Sequence, residues 1–485
     1  MSSGSKARAP SDRDDPKGGG SAGSTKEAGQ CPRREAAEQD SALDEGYTAA
    51  PEADPTVATK LAELAARARR ERTLTNVIQF VDEELLHLAF RSLRKQAAPG
   101  VDGQSYEEYA ADLDQNLKGV HARLTTGRYK APVIRRVYIP KGNGKRRPIG
   151  ISTVEDRMVQ KAVAWVLSAV FDQDFQDCSH GFRPNRSPHT ALRRLREGMW
   201  RHHVRYVVEA DLASYFDTVG HAWLRTFVRH RANDGGLIRL SDQWLKAGVM
   251  ENGVVTHLDE GVPQGGPVSP VLSNVYLHYV LDLWFERRFK KTCRGFAELT
   301  RFADDYVATF QNQADAERFR REMEERLTAF GLRVAPEKTA VLCFDGSLLQ
   351  RSGKQGLKPA TFTFLGFVHY LTKTRRGRVT VARKPSIKAR ERFVRKVKAW
   401  VRVHRHDPVR SQQKDLARKL NGHYQYYGLY YCTRALSSVR YRVQKLWLWA
   451  LQHRSQKAKR QCDWATLHAK CWFRLPSPRV TQPWV

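Results

Sequence analysis

Two adjacent carboxylates interrupt an apolar, strand-like run in "RFADDYVATF", residues 301–310. Asp304 and Asp305 suit a solvent-exposed turn, because Asp is a common turn residue and Phe302, Tyr306, Val307 and Phe310 read as flanking strand positions. They also suit a metal site, since paired carboxylates repel and a hard cation such as Mg²⁺, which prefers oxygen ligands, holds both ionised. A second acidic strand end lies in "VVEADLASYFDTVGHAWL". Val207, Val208 and Ala210 there read as a buried strand running up to Asp211, and Phe216 and Asp217 follow the polar turn. A helix N-cap is the structural role open to Asp211 or Asp217. If the two strand ends are neighbours, Asp211, Asp304 and Asp305 can hold two Mg²⁺ ions roughly 3.5 to 4 Å apart, a spacing that clamps a phosphoryl group between attacking and leaving oxygens.

The elements that must position these residues follow from patterning. "DRMVQKAVAWVLSAVF" has helical spacing at Val159, Ala162, Val166 and Val170, "VRYVVEADL" reads as a buried strand, and "DAERFRREMEERLTAFGL" reads as a charged amphipathic helix closed by Gly331. Interleaved helices and strands over residues 58–375 predict an α/β or α+β class with an antiparallel element. Residues 1–57 are rich in Ser, Gly, Ala and Pro with almost no aromatic side chain, and are expected to be a disordered tail. The acids Asp12, Asp14, Asp15, Glu27 and Glu35 argue against a transit peptide. Beyond 376 the composition shifts: residues 381–460 hold 22 Lys or Arg against Glu391, Asp407 and Asp415, a net +19. Phe393, Val397, Trp400, Val401 and His404 share a helical face that leaves Arg395, Lys396 and Arg402 largely outside it. A helical domain with a basic surface is expected there.

The whole chain of 485 residues carries a net charge of +32, with a pI of about 10.1. So large an excess points to a polyanionic partner, nucleic acid before a membrane surface, because no apolar run approaches the roughly 18 residues of a membrane span. Seven cysteines, Cys31, Cys178, Cys293, Cys343, Cys432, Cys462 and Cys471, never form a C-x-x-C pair. This weakens both a zinc ribbon and a disulfide framework, and suits a reducing, cytoplasmic setting.

A set of blocks in fixed order then narrows the reading. "AAPGVDG" (97–103), "YIPKGNGKRRPIGISTVEDRMVQ" (138–160), "SHGFRPNRSPHTAL" (179–192), "EADLASYFDTV" (209–219), "GVPQGGPVSPVLSNVYLHYVLD" (261–282), "RFADDYV" (301–307), "GLRVAPEKT" (331–339) and "FTFLGF" (362–367) together resemble reverse transcriptases of the group II intron-encoded kind. The resemblance runs from about residue 65 to the C-terminus. It implies an α+β right-hand polymerase: fingers and palm over 58–375 with an antiparallel palm sheet, a helical thumb or maturase domain over 376–456, and a short extension over 457–485.

It further implies that Asp211, Asp304 and Asp305 hold two Mg²⁺ ions, which Mn²⁺ can replace. Lys141 and Arg147 would cover the incoming phosphates, Arg being favoured for its planar fork. Phe216 would lie under the sugar, where a ring leaves no room for a 2′-hydroxyl, and Gln264 would contact the incoming nucleotide, with Gly265 and Gly266 allowing close backbone approach. Lys338 matches a lysine near the departing pyrophosphate, a candidate proton donor. Phe302 stands where the family usually carries Tyr, so a ring is kept and a hydroxyl lost.

The block 417–456 resembles the family's maturase region. Arg395, Lys396, Arg402, Arg418 and Lys419 are expected on RNA phosphates, while most of Tyr424, Tyr426, Tyr427, Tyr430 and Tyr431 are expected in the core rather than on unpaired bases. No His-Asn-His endonuclease is expected, because its zinc needs paired cysteines. The implied partners are the group II intron RNA, a template with a DNA primer, target DNA and deoxynucleoside triphosphates, and no membrane. Two other readings stay open: a domesticated relative serving defence, spacer acquisition or diversity generation, and an RNA-binding splicing factor with a decayed polymerase.

Overall fold

The computed structural model describes residues 54–485 apart from 141–145, 252–253, 257–259, 263, 352–357, 470–472 and 484. Lys141 therefore lies outside the described residues, as does nearly all of the N-terminal segment expected to be a tail. The first helices are α1 (Pro55–Arg70) and α2 (Glu83–Arg91), and both pack on α3 (Val154–Phe171). Thr153 caps α3 by accepting from the Asp156 amide, and the helix is buried on nearly every side. This explains the near-continuous apolar run in its sequence: a helix hydrophobic all round is an interior helix.

Strands and helices then alternate. β1 (Ile134–Pro140) and β2 (Arg146–Ile151) precede α3, and α4 (Pro188–Arg201) leads into β3 (Tyr206–Asp211). The short β4 (Val249–Glu251) and β5 (Val254–Thr256) come next, then α5 (Ser269–Leu277) and the hairpin β6 (Ala297–Phe302) and β7 (Asp305–Phe310). α6 (Gln313–Ala329) ends just before Gly331, whose φ of 78° closes the helix as its sequence predicts. β8 (Ala340–Cys343), β9 (Phe362–Phe364), β10 (Phe367–Lys373) and β11 (Val379–Pro385) complete the strands.

Among the described residues the strands form three sheets, and the fold is α+β. The central one, in the order β6-β7-β3-β8, is antiparallel throughout, as the resemblance implies for a palm. A second, β2-β1-β4-β5, is mixed, because β1 pairs with β4 in parallel. The third is the antiparallel meander β9-β10-β11. The C-terminal region is helical: α7 (Ile387–Val403), α8 (Val409–Tyr427) and α9 (Thr433–Gln452).

Two hydrophobic cores hold these layers. One gathers α1, α2, α3, α5 and α6 on one side of the central sheet. The other joins Leu192, Leu195, Val207 and Val307 to Val394, Val397, Leu416, Leu420 and Trp447. The expected division at 375 falls in the β10–β11 turn, and this second core spans both sides of it. Among the described residues, no helix is long and apolar enough to cross a membrane.

Candidate active site

The register of the central sheet sets Asp211, the last residue of β3, directly opposite Asp305, the first of β7. Phe302 pairs with Asp305, so only Ala303 and Asp304 form the hairpin tip. A two-residue tip requires positive φ, and Ala303 takes 56°. Asp211 closes a strand and caps no helix. Three carboxylates thus meet at adjacent strand ends, with Glu209 two residues back along β3 on the same face as Asp211.

The electrostatics of the cluster follow from burial and like charge. Burial pushes the Asp304 carboxyl above its ordinary value, Asp211 adds to this, and the positive charges of Arg147 and Arg301 oppose it. Asp305 is pushed up to about 7, first by burial and then by Asp304, Asp211 and Glu209. Burial also raises Glu209, again assisted by Asp211. Such mutual repulsion among oxygen donors is what a hard cation relieves. In kind, the donor set fits a divalent metal. As posed, however, no three Asp, Glu, His or Cys side chains among the described residues converge enough to enclose an ion. Instead Asp211 is ion-paired to the Lys338 ammonium, and Asp305 Oδ2 accepts from the Leu365 amide at 3.4 Å.

A cavity of about 190 Å³ is lined by Phe216, Gln264, Arg136, Pro148, Gly150 and Val262, among others. Arg147 Nε donates to Gln264 Oε1 at 2.8 Å, and the Gly150 amide donates to the Gln264 carbonyl at 2.7 Å, so β2 carries the loop that bears Gln264. Gly265 has φ 119°, and a Cβ there would meet the Gly150 carbonyl oxygen at 2.4 Å, so both conformation and space demand glycine. Phe216 sits half-buried in a 3₁₀ turn, edge-on to Tyr215, and its carbonyl accepts from Val262 at 2.6 Å. Arg147, whose charge acts on Asp304, is thus tied to Gln264, and Phe216 lines the same cavity as Gln264. Lys338 reaches the carboxylates through Asp211.

The basic candidates lie elsewhere. Arg395, Lys396 and Arg402 are exposed on α7, and Arg418 and Lys419 on α8. Arg418 pairs with Asp415 at 3.1 Å, while Lys419 lies over the Trp400 ring at 5.3 Å, tying α8 to α7. An open groove along α8 is lined by Lys414, Arg418, Asn421 and Gln425. Of the five tyrosines, Tyr424 is buried and Tyr426 and Tyr427 are half-buried, but Tyr430 and Tyr431 are exposed at 50% and 45%. The expectation that most lie in the core fails for these two because α8 ends at Tyr427, so neither belongs to its core-facing side.

Sequence reasoning passed over Glu209, although strand alternation from Asp211 would have found it. It also passed over Arg301 and the segment 179–181, which lie behind the carboxylate turn.

Comparison with known proteins accounts for this layout. Residues 139–369 match the family described as reverse transcriptase (RNA-dependent DNA polymerase), and residues 390–466 match the group II intron, maturase-specific domain. Protein YkfC of Escherichia coli (strain K12) is 41% identical over 194 residues, which cover 39% of this chain and 51% of that protein. The group II intron-encoded protein LtrA of Lactococcus lactis subsp. cremoris is 34% identical over 205 residues, covering 41% of this chain and 34% of LtrA. A putative COX1/OXI3 intron 1 protein of Saccharomyces cerevisiae is 26% identical over 318 residues, 56% of this chain and 38% of that protein. The chain thus spans about half the length of the first of these relatives and about a third of the next two. Reverse transcriptase domains use divalent metal ions, in keeping with the donor set at the strand ends. With both matches falling in order on the palm sheet and on the basic helices, the chain carries a reverse transcriptase domain followed by a group II intron maturase domain.

Proposed function

We propose that this protein is an RNA-directed DNA polymerase that also serves as the maturase of a group II intron: it binds the intron RNA, assists splicing, and copies the intron into DNA at a target site. The observation that carries the reading is the placement of Asp211, Asp304 and Asp305 at neighbouring strand ends, with Arg147, whose charge acts on Asp304, hydrogen-bonded to Gln264 at a cavity that Phe216 also lines. Asp211, Asp304 and Asp305 are the residues that would hold Mg²⁺, with Mn²⁺ able to replace it. When bound, the cation acidifies the primer 3′-hydroxyl and neutralises phosphate charge. Arg147, braced by Gln264, offers its fork to the triphosphate, and Lys141 is assigned to the same task. Phe216 excludes a 2′-hydroxyl. Lys338, whose ammonium is held charged by its hydrogen bond to Asp211, can cover the departing pyrophosphate.

On this reading residues 58–375 work as fingers and palm, 376–456 as thumb and maturase, and 457–485 as an extension. Arg395, Lys396, Arg402, Arg418 and Lys419 contact RNA or primer–template phosphates. The five described cysteines are free, which supports a cytoplasmic setting. The test is Asp304→Asn, which removes one anionic ligand at constant volume. Primer extension on an RNA template should vanish, while intron RNA binding, measured by filter retention, stays near wild type. Full-length cDNA from the variant would overturn the site.

A further inference from the structure

Behind the carboxylate turn lies an ion pair withdrawn completely from solvent: Arg301 and Asp282 are both 0% exposed. All five N–H donors of the guanidinium are used. Nε and Nη2 donate to the two Asp282 oxygens at 2.8 and 2.5 Å, Nη2 also donates to Ser179 Oγ at 2.7 Å, and Nη1 donates to Asn274 Oδ1 at 2.9 Å. The remaining Nη1 proton goes to the carbonyl of Ala303 at 2.9 Å. Ala303 is the residue in the left-handed region at the hairpin tip, where a side chain costs roughly 1–2 kcal/mol, so something outside the turn must hold it there. The backbone completes the grip. The Arg301 amide donates to the Cys178 carbonyl and its own carbonyl accepts from the His180 amide. Gly181 lies so close that a Cβ would meet the Ala303 nitrogen at 2.4 Å, and Asn274 Nδ2 anchors the Gly181 carbonyl at 2.7 Å.

We propose that Arg301 is the positioning residue of the active site: its guanidinium, neutralised by Asp282, latches the Ala303 carbonyl and so fixes Asp304 against Asp211. The inference rests on the reading of Asp304 as a metal ligand. A pair serving stability alone would need only mutual neutralisation and satisfied donors. Here one donor is aimed at the single residue that separates Arg301's strand from Asp304.

The test separates charge burial from the latch. Losing one partner of a buried pair strands the other, whereas replacing both with apolar residues is often neutral or stabilising. In the full chain, Arg301→Met combined with Asp282→Leu should therefore melt within a few degrees of wild type. It should also show faster hydrogen exchange at the amides of 303–305 and Mn²⁺ binding, read by electron paramagnetic resonance without substrates, weakened at least tenfold. In primer extension kcat should fall at least tenfold, with KM for primer–template within twofold. A folded double variant with wild-type Mn²⁺ affinity and kcat would overturn the proposal. If the double variant melts too low to assay, Arg301→Lys serves in its place. It keeps the buried charge, but one ammonium cannot span Asp282 and Ala303, so the same losses are expected and their absence is equally fatal. Asp304→Asn run alongside separates the two claims. If that variant still polymerises, the metal reading itself fails; if it is inactive while the double variant is fully active, only the latch fails.

Discussion

Phe216 offers a test by gain rather than loss. It lines the cavity with Gln264, lies edge-on to Tyr215 and packs half-buried at the margin of the first core, so truncation opens the cavity at a modest cost in packing. Phe216→Val should raise ribonucleotide use relative to deoxynucleotide use by about 10- to 100-fold if the relieved clash is worth roughly 1.4 to 2.7 kcal/mol. The measurement is the ratio of kcat/KM for the two sugars on one primer–template, and an unchanged ratio means the ring is not the gate. The carboxylates could be singled out in the amino-acid string as Asp at the ends of apolar runs, but a turn or a helix cap explained them equally well there, and it was the resemblance of the ordered blocks that grouped the three. Arg301 could not be singled out. β6 is buried on both faces, so alternation carries no information there, and an arginine beside an acidic turn reads as a surface residue. Lys338 was legible as a neighbour of the site, but not its pairing with Asp211, which depends on how the 336–338 turn folds back.

At the scale of elements, helical periodicity identified α3, α6 and α7, because each offers several turns over which a pattern can repeat. β4 and β5, three residues each, carry too little pattern to register, and with them the mixed character of the second sheet stayed hidden. α8 makes a prediction of its own. His423 is 7% exposed, stacks on Phe393 at 4.2 Å and has no hydrogen-bond partner for Nε2 among the described residues, and burial lowers its pKa to about 4. Its unfolded value is about 6.5, so between pH 6.5 and 4 the unfolded chain takes up a proton that the folded helix refuses. The stability it contributes is fully present above pH 6.5 and is lost as pH falls towards 4, by about 3 kcal/mol. Burial shifts His180 and His278 the same way, to about 3 and about 4. His423→Phe should flatten part of that slope. Melting temperatures of both proteins from pH 7 to pH 4 decide it; parallel curves would mean that His423 is protonated in place.

At the scale of the molecule, the +19 excess over residues 381–460 sets how binding responds to salt. Five phosphate contacts from α7 and α8 would give a slope of log K against log salt of about −3.5 or steeper for single-stranded RNA. Replacing Arg395, Lys396 and Arg402 by Gln should make it shallower by about 2 to 3, because each lost phosphate contact returns about one counterion. Binding that stays insensitive to salt in wild type would remove these helices from the interface. The second core carries a different consequence. Val207 and Val307 lie four and two residues from Asp211 and Asp305 on the same strands, and they pack in the cluster that also takes in Val394, Leu416 and Trp447. The two regions that match separate families therefore share one interior. A helical half borrowed from a relative would bring knobs cut for another socket, so exchanging that half alone should loosen the strands that carry Asp211 and Asp305.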